Sequence, residues 1–238
     1  MTKPDKSEAD HIQEARAALA AASLEHVVFD GWSKDCFDAA LKDSGINPDL
    51  ARIACPRGAV DLAIELHRQG DQKLIAEVAD MDLATLRYSE RVAALVKRRI
   101  VLSGDPEVVR KSASLFALPQ HMVEGSGLIW GTSDKIWRAL GDTSDDFNWY
   151  SKRVILSGVY SATLLFWLGD DSAGKARTWA FLDQRIADVM RFERFKSGFR
   201  TSSLGTAFAR GPGVVLSKIK APTERATSDL PGHIGRTN

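Results

Sequence analysis

The residues of this chain best suited to chemistry are five histidines and two cysteines, and their spacing forms none of the common catalytic constellations. His11, His26, His67, His121 and His233 are scattered along the sequence. His121 and Glu124 stand three apart and can share a helix face, but the second carboxylate–histidine set of a di-iron bundle is missing. No G-x-S-x-G elbow, phosphate-binding glycine loop or H-E-x-x-H motif occurs. Gly125-Ser126-Gly127 lacks the spacing and the preceding strand of a dinucleotide site. Cys36 and Cys55 are too few for a disulfide scaffold or a multi-cysteine metal site, and read as small, reduced, partly buried residues of a cytosolic protein. The expectation is a chain with no catalytic residues, no metal and no cofactor.

The elements behind these residues follow from composition and periodicity. The chain has 238 residues with 44% hydrophobic and 26% charged side chains, the balance of a soluble globular protein with a sizeable core. Its formal net charge of +1 creates no global field for nucleic acid or anionic membrane. Residues 1–14 are polar and of mixed charge, so neither a secretory signal nor a transit peptide is expected there. The longest uncharged apolar run, 154–169, is shorter than the roughly 20 residues of a membrane span and predicts a buried core helix.

Nearly all of the sequence carries helical periodicity and none of it strand alternation, so the predicted fold is all-α. Ile12, Ala15, Leu19 and Ala22 share one face of a first segment that ends at Asp30-Gly31. Ser33 is placed to cap a short helix over 34–42, and Ser44-Gly45 to turn the chain. Asn47 with Pro48 opens a second short helix, which Cys55-Pro56-Arg57-Gly58 breaks. Longer helices are expected over 59–77, after an Asp82 cap, after Pro106, over 119–140, from Asp145 or Asp146 to Leu168, and over 175–195. In the helix after Asp82, Leu86, Ala93, Val96 and Ile100 line one face.

The segment 31–65 resembles the helix-turn-helix of TetR-type regulators, whose second short helix enters the DNA major groove. Here that helix offers only Asp49 and Arg52. Residues 1–60 hold seven Lys or Arg against ten Asp or Glu, the wrong sign for a surface among phosphates. Specific DNA binding is therefore not expected, and the helix-turn-helix reads as a packing unit. A repressor with a hydrophobic effector is the alternative.

A second resemblance lies in Asp146-Phe147-Asn148-Trp149-Tyr150 with Lys152-Arg153 and the run to Tyr160. Thr178-Trp179-Ala180-Phe181-Leu182-Asp183-Gln184-Arg185, Ala117-Leu118-Pro119 and Trp137 extend it. Over most of residues 10–195 the sequence resembles the family of the ninth coenzyme Q biosynthesis protein. The resemblance implies a TetR-like, dimeric, non-enzymatic protein that binds isoprenoid quinones or other lipids. It further implies assistance to the di-iron hydroxylase late in ubiquinone biosynthesis, with the 147–153 block (Phe147, Asn148, Trp149, Tyr150, Arg153) as part of the surface offered to it. Leu115, Leu118, Met122, Trp130, Trp137, Tyr160, Leu164 and Trp167 are the candidate lining of an interhelical lipid cavity.

The expected organisation is a helix-turn-helix region (1–56), a ligand-pocket and dimerisation region (57–195) and a basic tail (196–238). Residues 196–220 carry five Lys or Arg and no acid. Phe195, Phe199, Arg200, Leu204, Phe208, Arg210, Lys218 and Lys220 are the candidate membrane contacts, suited to an anionic lipid surface. Gly211-Pro212-Gly213 interrupts any single helix there. The resemblance and the N-terminal composition together imply a bacterial cytoplasmic protein peripheral to the inner membrane.

Overall fold

A computed structural model describes residues 7–201, with side chains through Arg191. Among these residues it contains ten α-helices, one 3₁₀ turn and no strand. The helices are α1 (Glu8–Ala22), α2 (Leu24–Asp30), α3 (Lys34–Ser44), α4 (Pro48–Ala54), α5 (Ala59–Val78), α6 (Tyr88–Val101), α7 (Pro106–Phe116), α8 (Met122–Ala139), α9 (Phe147–Gly169) and α10 (Ala176–Thr201).

Most helix starts follow from local chemistry. Ser33 Oγ accepts from the Cys36 amide at 3.1 Å, Asn47 Oδ1 from the Asp49 amide at 2.8 Å, and Asp146 Oδ1 from the Asn148 amide at 2.9 Å. Each satisfies a donor that the first helical turn leaves open. Gly45, at φ 65°, supplies the left-handed residue that turns the chain between α3 and α4. Asp170 closes α9 and opens α10: its carboxylate accepts from the Thr178 amide at 2.9 Å and the Thr178 hydroxyl at 2.6 Å. Those bonds hold it well below the usual carboxylate range although burial acts the other way.

Three expectations are corrected. The first segment is two helices, because Ser23 is fully buried and its hydroxyl donates back to the Ala20 carbonyl at 2.8 Å. Asp82 caps nothing: α6 begins later, where the Glu90 carboxylate accepts from the Arg87 amide at 2.9 Å, and Leu86 stays outside the helix. The last helix continues past residue 195 to Thr201.

Two larger apolar clusters organise the bundle, beside a small one of Val27, Cys36 and Val108 that joins α2, α3 and α7. Ala15, Leu19, Ala40, Ala51 and Leu62 join α1, α3, α4 and α5, and the small side chains let these helices approach closely. Leu74, Leu95, Ile100, Ile136, Tyr160 and Leu182 join α5, α6, α8, α9 and α10. Helix α5 reaches both and acts as the shared strut.

Glycines on α8 differ in kind. A Cβ on Gly125 would sit 2.6 Å from Phe116 Cβ, whereas a Cβ on Gly127 or Gly131 would meet nothing within 4 Å. We expect Gly125→Ala to destabilise by about 1–3 kcal/mol, the usual range for overpacking. Gly127→Ala and Gly131→Ala should instead raise stability by up to about 1 kcal/mol through helix propensity. Urea denaturation of the three variants checks both signs.

Candidate functional site

The helical hairpin α8–α9 presents an aromatic surface. Trp149 and Tyr150 meet edge to face with ring centroids 4.8 Å apart at 79°. Trp130 of α8 leans on both, at 5.8 Å from Trp149 and 6.4 Å from Tyr150. All three rings are half-buried, and Phe147 at the head of α9 is exposed. Asn148 is half-buried and donates from Nδ2 to Asp146 at 2.9 Å. The expected 147–150 block therefore does reach the surface together. Trp130, expected in a lipid cavity, joins this surface instead.

Arg153, expected on the same surface, is corrected: only 1% of its side chain is exposed. Its Nε donates to Asp134 at 2.7 Å, and its Nη1 to Asp142 at 3.2 Å and to the Trp149 carbonyl at 3.0 Å. The guanidinium carbon lies 4.0 Å from the Trp149 ring centroid. Lys152 completes the cluster, donating to Asp142 and to Ser144 at 2.7 Å each. Burial works against the Asp142 charge, but the bonds from Lys152, Ser144 and Arg153 hold its carboxyl below the ordinary range. Neither Asp134 nor Asp142 stands out in sequence, because their partners are 19 and 11 residues away.

A second buried cluster lies between α5, α6 and α8. Asp71 accepts from Arg99 Nε, Thr132 Oγ1 and Lys135 Nζ, each at 2.7 Å. His67 Nε2 lies 2.9 Å from Thr132 Oγ1, and Arg99 Nη2 donates to the His67 carbonyl at 2.9 Å. Gly70 makes room, since a Cβ there would fall 2.8 Å from Arg99 Nη1. A cleft of about 320 Å³ opens above this cluster, lined by Arg68, Asp71, Glu124, Gly127, Leu128, Gly131 and Lys135.

None of the eight expected lipid-lining residues borders that cleft. Trp137, Tyr160 and Trp167 are buried in the main core, and Leu164 packs against it. Leu115 is half-buried on α7, while Leu118 and Met122 are exposed at the α7–α8 junction beside Val123, which is 85% exposed. The eight thus divide between core, junction and aromatic surface, because α8 and α9 pack directly face to face. Glu124 pairs with Arg57 at 3.0 Å, as part of a link from the α4–α5 loop to α8. On α4, Arg52 pairs with Asp49 at 2.8 Å, which neutralises the one basic group that helix offers. The side chains of Phe195, Phe199 and Arg200, and all of Leu204, Phe208, Arg210, Lys218 and Lys220, lie outside the described residues.

The segment from the start of α8 into α10 is also where known proteins agree with this one. Residues 122–193 match the COQ9 family model. This is the family that the sequence resembles, and the matched segment contains both the aromatic surface and the Arg153 cluster. The chain is 30% identical over 183 residues to the probable ubiquinone biosynthesis protein coq9, mitochondrial, of Dictyostelium discoideum, covering 74% of this chain and 59% of that protein. It is 35% identical over 189 residues to COQ9-A, mitochondrial, of Xenopus laevis, covering 75% and 58%. Against COQ9, mitochondrial, of Homo sapiens the identity is 25% over 198 residues, covering 80% and 61%. The chain thus spans about three fifths of the length of the COQ9 relatives it matches. In structure it resembles a TetR transcriptional regulator from Nitrosomonas europaea, with a TM-score of 0.60 at 16% identity over 73% of this chain and 97% of that one. The fold is all-α and TetR-like.

The Asp71 cluster makes stability depend on pH. Burial, then the Arg99 charge, lowers the His67 pKa from 6.5 to about 4. The unfolded chain therefore takes up the proton first, so stability is fully present above the ordinary histidine range and falls as pH drops from 6.5 towards 4. His67→Gln should flatten the pH dependence of the urea midpoint in this window. An unchanged slope would mean that His67 is not the group responsible.

Proposed function

We propose that this protein is a non-enzymatic lipid-binding accessory protein of ubiquinone biosynthesis. It presents a membrane-resident quinone precursor to a di-iron hydroxylase of the pathway. The observation that carries this reading is the coincidence of the COQ9 segment with the α8–α9 aromatic surface. Tryptophan and tyrosine anchors at the centre of a patch are what protein interfaces use, because large rings bury much area at low entropic cost.

The chemistry of the task fits the rest of the molecule. Quinone precursors carry long polyisoprenoid tails and stay in the bilayer, so a helper must touch lipid without spanning it. No helix among the described residues is long and apolar enough to cross a membrane. The basic segment 196–220 supplies the contact with an anionic surface. The described cleft has room for a head group and not for a long tail, so the apolar Leu118, Met122 and Val123 at the α7–α8 junction form the entry for the tail. Val154 and Leu165, exposed along α9, are the apolar stripe on which a second copy packs to form a homodimer.

A DNA-binding reading has less support, because the Asp49–Arg52 pair leaves α4 without a free cation for phosphate or base edges.

Mass spectrometry of lipid extracted from the purified protein tests the central claim: an isoprenoid lipid is expected, and lipid-free protein would refute it. Trp149→Lys should weaken binding to the purified hydroxylase by about 2 kcal/mol or more while leaving the melting temperature nearly unchanged. Deleting residues 196–238 should remove most flotation with anionic vesicles, and added salt should weaken binding of the intact protein. Equal flotation of truncated and intact chains would put the membrane contact on the helical bundle.

A further inference from the structure

The Arg153 cluster is more elaborate than holding two helices together requires. A buried arginine costs several kcal/mol of desolvation before its partners compensate. An apolar residue at this place on α9 would join α8 and α9 without that cost. The arginine contributes something an apolar residue cannot: a flat, charged plate 4.0 Å beneath the Trp149 ring, with a hydrogen bond to the Trp149 carbonyl at 3.0 Å. Both contacts fall on one residue of the aromatic surface. The plate itself is fixed from behind by Asp134 on α8 and by Asp142 in the α8–α9 connection. Asp142 is in turn fixed by Lys152 and Ser144. Trp137 ties the same turn from the core side, its indole N–H donating to the Lys152 carbonyl at 3.0 Å.

We infer that Arg153 is a positioning residue for the partner surface: it touches no partner itself and acts by holding the Trp149 ring in one orientation. The cation on the inner face of Trp149, the edge of Tyr150 and the tilted ring of Trp130 restrict the indole from three sides. An anchor already fixed in its bound orientation loses less conformational freedom when a partner arrives, and that saving appears as affinity. The inference rests on the interface reading proposed above, and adds that part of the interface's affinity is stored beneath it in a group with almost no accessible surface.

The test uses the full-length protein labelled with 5-fluorotryptophan, and the purified di-iron hydroxylase as the binding probe. Arg153→Lys keeps the buried charge but removes the planar stack and the fork of donors. In the free protein, the ¹⁹F line of Trp149, assigned with Trp149→Phe, should shift and broaden in Arg153→Lys, while that of the core residue Trp167 stays in place. A merely structural role would move both or neither, and either result overturns the inference. In calorimetry, Arg153→Lys should weaken hydroxylase binding about threefold to tenfold. In a Trp149→Ala background the same substitution should change binding less than about twofold, because the ring it positions is gone. Equal losses in both backgrounds would overturn the inference. If Arg153→Lys does not fold, Asp142→Asn, which loosens the plate and leaves Arg153 in place, is carried through the same measurements with the same expected pattern. Full affinity in Trp149→Ala would instead sink the interface reading, and the ¹⁹F lines of the free protein would still decide whether Arg153 positions the ring.

Discussion

Two arginines with almost no exposed side chain, Arg99 and Arg153, constrain the whole larger half of this bundle. A guanidinium buried that deeply must find carboxylates and carbonyls in good geometry, or the fold loses several kcal/mol. Arg153 finds its carboxylate on α8, whereas Arg99 finds its carboxylate on α5, where α8 reaches the same group. Arg99 on α6 meets Asp71 on α5, and Thr132 and Lys135 of α8 close the same carboxylate. Arg153 on α9 meets Asp134 of α8 and Asp142 just beyond it. The four helices are therefore fixed in rotation as well as in distance, since a slip of α8 by one residue would strand two charges.

That rotational constraint decides what α8 and α9 show to solvent. With Asp134 turned towards Arg153, Trp130, one helical turn earlier, is carried to the same side and meets Trp149 and Tyr150. The aromatic surface is thus a by-product of how the buried charges are satisfied. The same packing leaves Trp137, Tyr160 and Trp167 in the core. At the α7–α8 junction apolar side chains stand exposed, and Gly125 lets α8 lie directly against Phe116.

The likeness to a TetR regulator and the COQ9 segment concern different parts of the chain's physics. The regulator shares the path of the helices at 16% identity, so it speaks to packing alone. The COQ9 match falls on α8, α9 and much of α10, where the aromatic surface and the Arg153 cluster are found. At the other end, the helix-turn-helix has alanine-lined packing, and Arg52 on its second short helix is paired with Asp49.

The amino-acid sequence alone determined the all-α class, the short helices over the turn at Gly45, the caps at Ser33 and Asn47, and a cap for α9 at Asp145 or Asp146. These are local: a cap, a left-handed glycine or a helical period is encoded within a few residues. Sequence reading misplaced Asp82, because a capping residue type is common and only the later start of α6 shows which candidate is used. It missed Asp71, Asp134 and Asp142 altogether, and placed Arg153 at the surface, since charged residues are usually exposed. Only the tertiary structure brings Arg153 onto Asp134, 19 residues away, and Lys135 onto Asp71, 64 residues away. Those pairings follow from the relative rotation of packed helices, a quantity that no local spacing in the sequence contains.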